Sequence, residues 1–193
     1  MRAFISLDIC TKTQKEIAKV LKQLQKKHWK VKWEQPEKLH LTLVFLGSID
    51  KNQLKIVYQS IKKAVKNKPL FSILYKGLSC FPSYDYPQII WLGLKGDLTT
   101  LAQIQKQTEI NLIKNGLKIK PKPFSPHITL GRVKNCRSKE RKEMGRQLKK
   151  LKILNMQSQD LISKITVYQS QLKPKGSAYD KLKEILINKN NKY

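Results

Sequence analysis

The chain has 193 residues, with 40 Lys and Arg against 13 Asp and Glu, for a formal charge of +27. A 40% hydrophobic share excludes wholesale disorder and suits one domain or two small lobes sharing a core. No run of about 18 apolar residues occurs, which excludes a membrane-spanning helix, and the first acid, Asp8, comes too early for a signal peptide. Three cysteines, Cys10, Cys80 and Cys136, form neither an even disulfide set nor paired metal spacing. They suit a reduced, cytoplasmic protein and argue against a disulfide or zinc framework; no cofactor is expected.

Residues 2–9 read as a strand. Thr13-Gln14-Lys15-Glu16 has the form of a capping box, with Thr13 as the cap. Ile17, Val20, Leu21 and Leu24 follow at one helical face. Residues 28–33 show no clean period, and Pro36 closes them. Residues 39–46 form a strong strand ended by Gly47. Asp50 caps a second helix whose inner face carries Leu54, Val57, Ile61 and Val65, and Asn67-Lys68-Pro69 breaks it. Strands are predicted over 71–78 and 88–94, with a turn at Phe81-Pro82. Asp97 opens a third helix through Leu101, Ile104 and Leu112, with Gly116 past its C-terminus. A strand over 125–133 follows Pro121 and Pro123. A basic helix over 139–152 carries Met144, Leu148 and Leu151. Residues 161–172 read as one strand, 173–176 as a turn, and 182–187 as a closing strand or short helix. The polar tail, 188–193, is expected to fray. The order is no parallel βαβ repeat, and neither G-x-G-x-x-G nor a Walker loop occurs, so the expected class is α+β.

Thirty-five of the 40 basic residues are lysines. Such a field attracts polyanions, nucleic acid first among them, through phosphate neutralisation. Lysine offers point charge rather than a bidentate fork, which favours backbone contact over base reading. No lipidation motif or amphipathic anchor marks a membrane partner. Simple solubility explains the same composition, and charge alone does not separate an enzyme from a passive binder.

Only three histidines are present: His28, His40 and His127. Two of them open matched runs, His40-Leu41-Thr42-Leu43 and His127-Ile128-Thr129-Leu130, 87 residues apart. With eight threonines in the chain, such a double match is a specific signal. In a strand, residues i and i+2 share a face. His40 and Thr42 therefore project together while Leu41 and Leu43 turn inward, and His127 and Thr129 do likewise. Two such strands facing each other bring together two imidazoles and two hydroxyls. An imidazole of pKa about 6.5 serves as base or acid near neutrality, and each role is worth roughly 10²–10⁴ in rate. The threonine hydroxyls can hold phosphate oxygens. Two other readings stand beside this one: half-buried strand histidines next to β-favouring threonines, and a zinc site, which two histidines without a nearby carboxylate or thiolate supply poorly. No elbow motif marks a serine or cysteine nucleophile, and the cysteines read as structural.

These motifs resemble those of the RNA 2′,3′-cyclic phosphodiesterases of the 2H phosphoesterase superfamily, historically called 2′-5′ RNA ligases. The resemblance runs through Arg2-Ala3-Phe4-Ile5-Ser6-Leu7, the segment from Leu39 to Gly47, Phe81-Pro82 and Ile90-Trp91-Leu92-Gly93. It continues from Phe124 to Arg132 and ends from Ser170 to Tyr179. It implies a single bilobal α+β domain over 1–193, with two antiparallel sheets flanking a central cleft, one motif on each, and helices outside. It implies metal-independent hydrolysis of RNA 2′,3′-cyclic phosphate ends, or of cyclic nucleotides, to 2′-phosphomonoesters by a monomeric enzyme. His40 would be the general acid and His127 the general base, with Thr42, Thr129 and Arg132 on phosphate oxygens. Phe45 is a base-stacking candidate, but strict alternation sends it to the face opposite His40, where it would pack in the core. Gln88 stands where many relatives carry arginine, and Ser6 replaces a common alanine. His28, with Trp29 and Trp33, reads as a surface or interface feature. RNA end joining as a side activity and non-catalytic RNA binding are the alternatives.

Overall fold

A computed structural model of the chain describes residues 1–151, 158–173 and 176–187. Among these residues nine strands are present: β1 (Arg2–Asp8), β2 (Val31–Trp33), β3 (His40–Ser48), β4 (Phe71–Phe81), β5 (Ile89–Gly96), β6 (Ile128–Val133), β7 (Gln159–Ile162), β8 (Lys164–Lys173) and β9 (Gly176–Leu186). Four helices accompany them: α1 (Thr11–Gln25), α2 (Lys51–Val65), α3 (Leu98–Lys114) and α4 (Ser138–Lys150). All strand pairs are antiparallel, in the order β7-β4-β5-β6-β3-β1-β8-β9, with β2 added to β6. The two sheet halves meet where β3 pairs β6 at Leu41 and Ile128. One half, β3-β1-β8-β9, carries His40. The other, β6-β5-β4-β7 with β2, leads into its first strand from His127. Among the described residues no helix is long and apolar enough to cross a membrane.

The helices form where their apolar periods dictate. Ile17, Val20, Leu21 and Leu24 of α1 are buried, as are Val57, Ile61 and Val65 of α2 and Leu101, Ile104 and Leu112 of α3. The Asp50 cap is a full box: Gln53 N–H donates to Asp50 Oδ1 (2.8 Å) and Asp50 N–H to Gln53 Oε1 (3.0 Å). Thr100 N–H donates to Asp97 Oδ1 (2.9 Å) at the start of α3, and Gly116 takes a positive φ beyond its end. A second, smaller core of Val31, Cys80, Ile90, Met144 and Leu148 lies under α4.

Several boundaries differ from expectation. Cys10, not Thr13, caps α1, and the helix starts at Thr11. Thr13 is buried because its hydroxyl donates to Asp160 Oδ1 (2.6 Å), and Glu16 pairs with Lys19 instead of reaching back. The expected 161–172 strand is two strands, β7 and β8, on opposite halves of the sheet. The chain changes partner at Ser163, from β4 to β1. The closing segment is a strand, and a longer one, because β9 zips against all of β8. The strand over 125–133 begins only at Ile128; Pro126 has no N–H to give a ladder, and the Ser125 carbonyl is used by His127. The short strand β2 lies within the segment that showed no period. Residues 174 and 175 of the 173–176 turn and the whole 188–193 tail lie outside the described residues.

Candidate active site

His40 opens β3 and His127 immediately precedes β6, the two strands that join the halves. Each ring is tied the same way. His40 Nδ1 lies 2.8 Å from the Lys38 carbonyl oxygen, and His127 Nδ1 lies 2.7 Å from that of Ser125. A carbonyl only accepts, so both Nδ1 atoms carry the proton and both Nε2 atoms are left for the cleft. The Lys38 carbonyl is presented by the short 3₁₀ turn Pro36–Lys38, which α1 packs against.

Aromatic rings fix both imidazoles. Phe4 lies 4.8 Å from His40 and Tyr179 meets it edge-on at 5.3 Å, centroid to centroid. Phe81 meets His127 edge-on at 5.0 Å, with Trp91 at 5.9 Å. Burial lowers the His40 pKa from its usual value. The Lys38 carbonyl and the Glu34 and Asp8 carboxylates oppose that shift without cancelling it, and the facing His127 adds to it.

Thr42 and Thr129 are half-buried on the same face as their histidines. Ser6 is the cross-strand partner of Thr42, and Trp91 that of Thr129. The Ser6 hydroxyl and the Trp91 Nε1–H are buried without a hydrogen-bond partner among the described residues, so the residue paired with each site threonine carries an unsatisfied polar atom.

Phe45 overturns the alternation argument. Along β1–β3, Thr42 pairs Ser6, Val44 pairs Ile5 and Phe45 pairs Phe4, so Leu43 is an extra residue, a β-bulge. The bulge buries Leu43 and Val44 in succession and returns Phe45 to the His40 face. Phe45 is 69% exposed, 6.5 Å from the Phe4 ring, and not in the core. Arg132 arrives by the same device. Thr129 pairs Trp91 and Arg132 pairs Ile89, so Leu130 is the extra residue and Arg132 shares the cleft face with Thr129. Its charge bears on Tyr179, the ring against His40. The site therefore brings together His40, Thr42, Phe45, His127, Thr129 and Arg132.

Sequence reasoning missed several neighbours. His40 lines a cavity of about 560 Å³ with Asp8, Gln14, Lys38, Tyr168 and Tyr179. Asp8 holds its wall by accepting from Thr166 (2.8 Å) and Tyr168 (2.9 Å). Asp8 and Phe4 share the alternate positions of β1 that face His40, a signal visible only once the β1–β3 register is known. Gln88 is exposed and contributes its backbone, donating to Phe81 O (2.7 Å) and accepting from Val133 N–H (2.8 Å). His28 is exposed with a positive φ and takes no part. Cys10, Cys80 and Cys136 are free thiols. Among the described residues no three His, Cys, Asp or Glu side chains are grouped to hold a metal ion.

The LigT-like phosphoesterase family model matches residues 7–91 and 93–179. The chain belongs to that family. It is 32% identical over 184 residues to the RNA 2′,3′-cyclic phosphodiesterase of Methanocaldococcus jannaschii, covering 95% of this chain and 99% of that one. It is 29% identical over 188 residues to the enzyme of the same name from Aquifex aeolicus, covering 97% of each. Among solved structures of this fold, TT0787 of Thermus thermophilus superposes with a TM-score of 0.77 at 20% identity, over 97% of this chain and 98% of that one. E. coli LigT complexed with 3′-AMP gives 0.74 at 20% identity, over 96% and 97%.

Proposed function

We propose that this LigT-like phosphoesterase hydrolyses RNA 2′,3′-cyclic phosphate ends to 2′-phosphomonoesters. The observation that carries the reading is the paired constellation: two His-x-Thr runs on the joining strands, each imidazole with Nδ1–H given to a carbonyl and Nε2 free. The relatives' names, RNA 2′,3′-cyclic phosphodiesterase, point to the same reaction.

His127 acts as general base. Its Nε2 takes a proton from water as the water oxygen bonds to phosphorus. His40, protonated on Nε2 as well as Nδ1 once the bound phosphate favours its cation, acts as general acid, and its Nε2–H gives a proton to the 3′-oxygen as the P–O3′ bond breaks. One water is consumed, the ring opens, and a 2′-phosphomonoester and a 3′-hydroxyl remain. The proton moves from one imidazole to the other over the cycle and is restored through solvent. Thr42 and Thr129 donate to the non-bridging oxygens, Arg132 offers a guanidinium fork to a substrate phosphate, and Phe45 offers its exposed ring to the nucleobase. The lysine field gathers the RNA.

Phosphorus NMR of an oligonucleotide with a 2′,3′-cyclic phosphate end tests the reading. Turnover is expected in EDTA and is expected to collapse in His40→Ala and His127→Ala. Loss on chelation, or wild-type turnover in either variant, refutes it. Salt-sensitive binding without turnover would instead mark a passive RNA binder.

A further inference from the structure

The strand that sequence reasoning missed places a second cation beside Arg132. In β2–β6, Val31 pairs Val133, Lys32 pairs Arg132 and Trp33 pairs Gly131. Val31 is buried in the core under α4, and Trp33 packs against it. Lys32 therefore projects to the opposite face, the cleft face that Arg132 reaches through the Leu130 bulge. Directly paired residues on antiparallel strands lie about 4.5–5.5 Å apart at Cα. Like charges set that close repel. Both side chains are exposed, and among the described residues neither forms an ion pair. Nor does Lys32 turn away into solvent. Its Nζ lies 3.4 Å from where a Cβ would stand on Gly176, the first residue of β9 on the other sheet half. From the position paired with Arg132, the ammonium thus reaches across to β9.

While the Glu34 carboxylate bears on the same end of the cleft through Tyr179, two cations on paired positions at the rim of a phosphate site, with no ion pair to either among the described residues, suit an anion between them. Their position identifies which one. Thr129 and Arg132 sit opposite Trp91 and Ile89, one two-residue strand step apart. That step is about 6.6 Å, the same order as the spacing of successive phosphates along an RNA strand. We infer that Lys32 and Arg132 form a subsite for the phosphodiester that joins the terminal nucleotide to its 5′ neighbour. The inference rests on the function proposed above. It gives the enzyme a reason to prefer an RNA end over a mononucleotide 2′,3′-cyclic phosphate, which has no such phosphodiester. Arg132 supplies the bidentate fork and Lys32 the point charge.

The test compares kcat/KM for three substrates: a 2′,3′-cyclic mononucleotide, a dinucleotide with the same cyclic end, and that dinucleotide with a neutral methylphosphonate linkage. In the wild type the phosphodiester dinucleotide should exceed the other two by about tenfold, the scale of a charge-assisted contact at an open rim. Lys32→Gln should reduce that advantage severalfold, lower the dinucleotide's salt slope by about 0.7, and narrow the gap between the phosphodiester and methylphosphonate linkages, with Arg132 carrying the preference that is left. Lys32→Arg should retain the preference. Equal loss on all substrates in Lys32→Gln, or undiminished discrimination against the methylphosphonate, overturns the subsite. A wild type that treats the two dinucleotides alike overturns it without any variant. A wild type that hydrolyses neither the mononucleotide nor the dinucleotide overturns the proposed function, and the subsite with it.

Discussion

Asp160 is the buried carboxylate on which the geometry behind His40 depends. It lies on β7 at 4% exposure. Its Oδ1 accepts from the Thr13 hydroxyl (2.6 Å) and the Cys10 thiol (2.9 Å), and its Oδ2 accepts from Cys10 N–H and Tyr75 O–H (2.9 Å each). These bonds tie β4 and β7 of one sheet half to the N-terminus of α1, which packs on the turn presenting Lys38 to His40. Asp160→Ala leaves at least the Cys10 N–H and Tyr75 O–H unpaired. At about 1–3 kcal/mol for each buried donor, the loss is about 4 kcal/mol. Asp160→Asn keeps one oxygen for Cys10 N–H and Tyr75, while the Thr13 hydroxyl can turn to accept from the amide. Only the charge assistance is lost, about 1–2 kcal/mol. Burial pushes the Asp160 pKa up, but the Cys10, Thr13 and Tyr75 donors outweigh it and hold the group below the usual carboxylate range. The extra stability of wild type over Asp160→Asn is therefore fully present above the unfolded value of about 3.9 and fades as pH falls below it through the folded pKa. Urea denaturation at pH 7 and pH 3 measures the gap. A gap unchanged at pH 3, or an Asp160→Ala variant within 1 kcal/mol of wild type, would refute the reasoning.

Three further outcomes are expected. His40→Ala and His127→Ala should each lower kcat by roughly 10²–10⁴, and the double variant should lose far less than the product of the two, because the pair acts as a unit; single-turnover hydrolysis checks both. Phe45→Ala should cost about 1–3 kcal/mol of nucleotide affinity with little change in stability, since the ring is exposed; titration with a 3′-nucleotide and a thermal melt separate the effects. His40 should titrate below 6.5 in the free protein, because burial disfavours its cation, and should rise when a phosphate monoester enters the cleft; histidine-selective NMR reads both, and a free value at or above 6.5 refutes the packing argument.

The helices were legible because their inner faces repeat every three or four residues, and the caps at Asp50 and Asp97 because a short acceptor precedes each run. The His-x-Thr runs were legible because two equal runs used two of only three histidines. What stayed hidden depends on partners remote in sequence. Nothing local in the 161–172 run says that the chain leaves β4 for β1 at Ser163. Thr13 looks like a cap until Asp160, 147 positions away, claims its hydroxyl. A three-residue strand such as β2 has too few positions to show a period, so Lys32 could not be placed on a face.

The two bulges also order the cleft, and under the proposed binding mode that order selects which bond breaks. Because β3 and β6 run antiparallel through Leu41 and Ile128, the site residues fall in sequence from one end to the other. Phe45 comes first, then Thr42 level with His127, then His40 level with Thr129, then Arg132 beside Lys32. A ribose carries its base on C1′, next to C2′, and its 5′ phosphate through C4′, next to C3′. With the base on Phe45 and the 5′ phosphodiester on Arg132 and Lys32, the 2′-oxygen lies toward His127 and the 3′-oxygen toward His40. In-line displacement places the water opposite the leaving oxygen, so this binding mode, if adopted, gives the water to His127 and the departing O3′ to His40, as the proposed mechanism requires. The product should be the 2′-monoester alone, which proton-coupled phosphorus NMR distinguishes from the 3′-isomer. A 3′-monoester would require the nucleotide to lie the other way, with its base among the cations and its phosphodiester against Phe45, and would overturn this order.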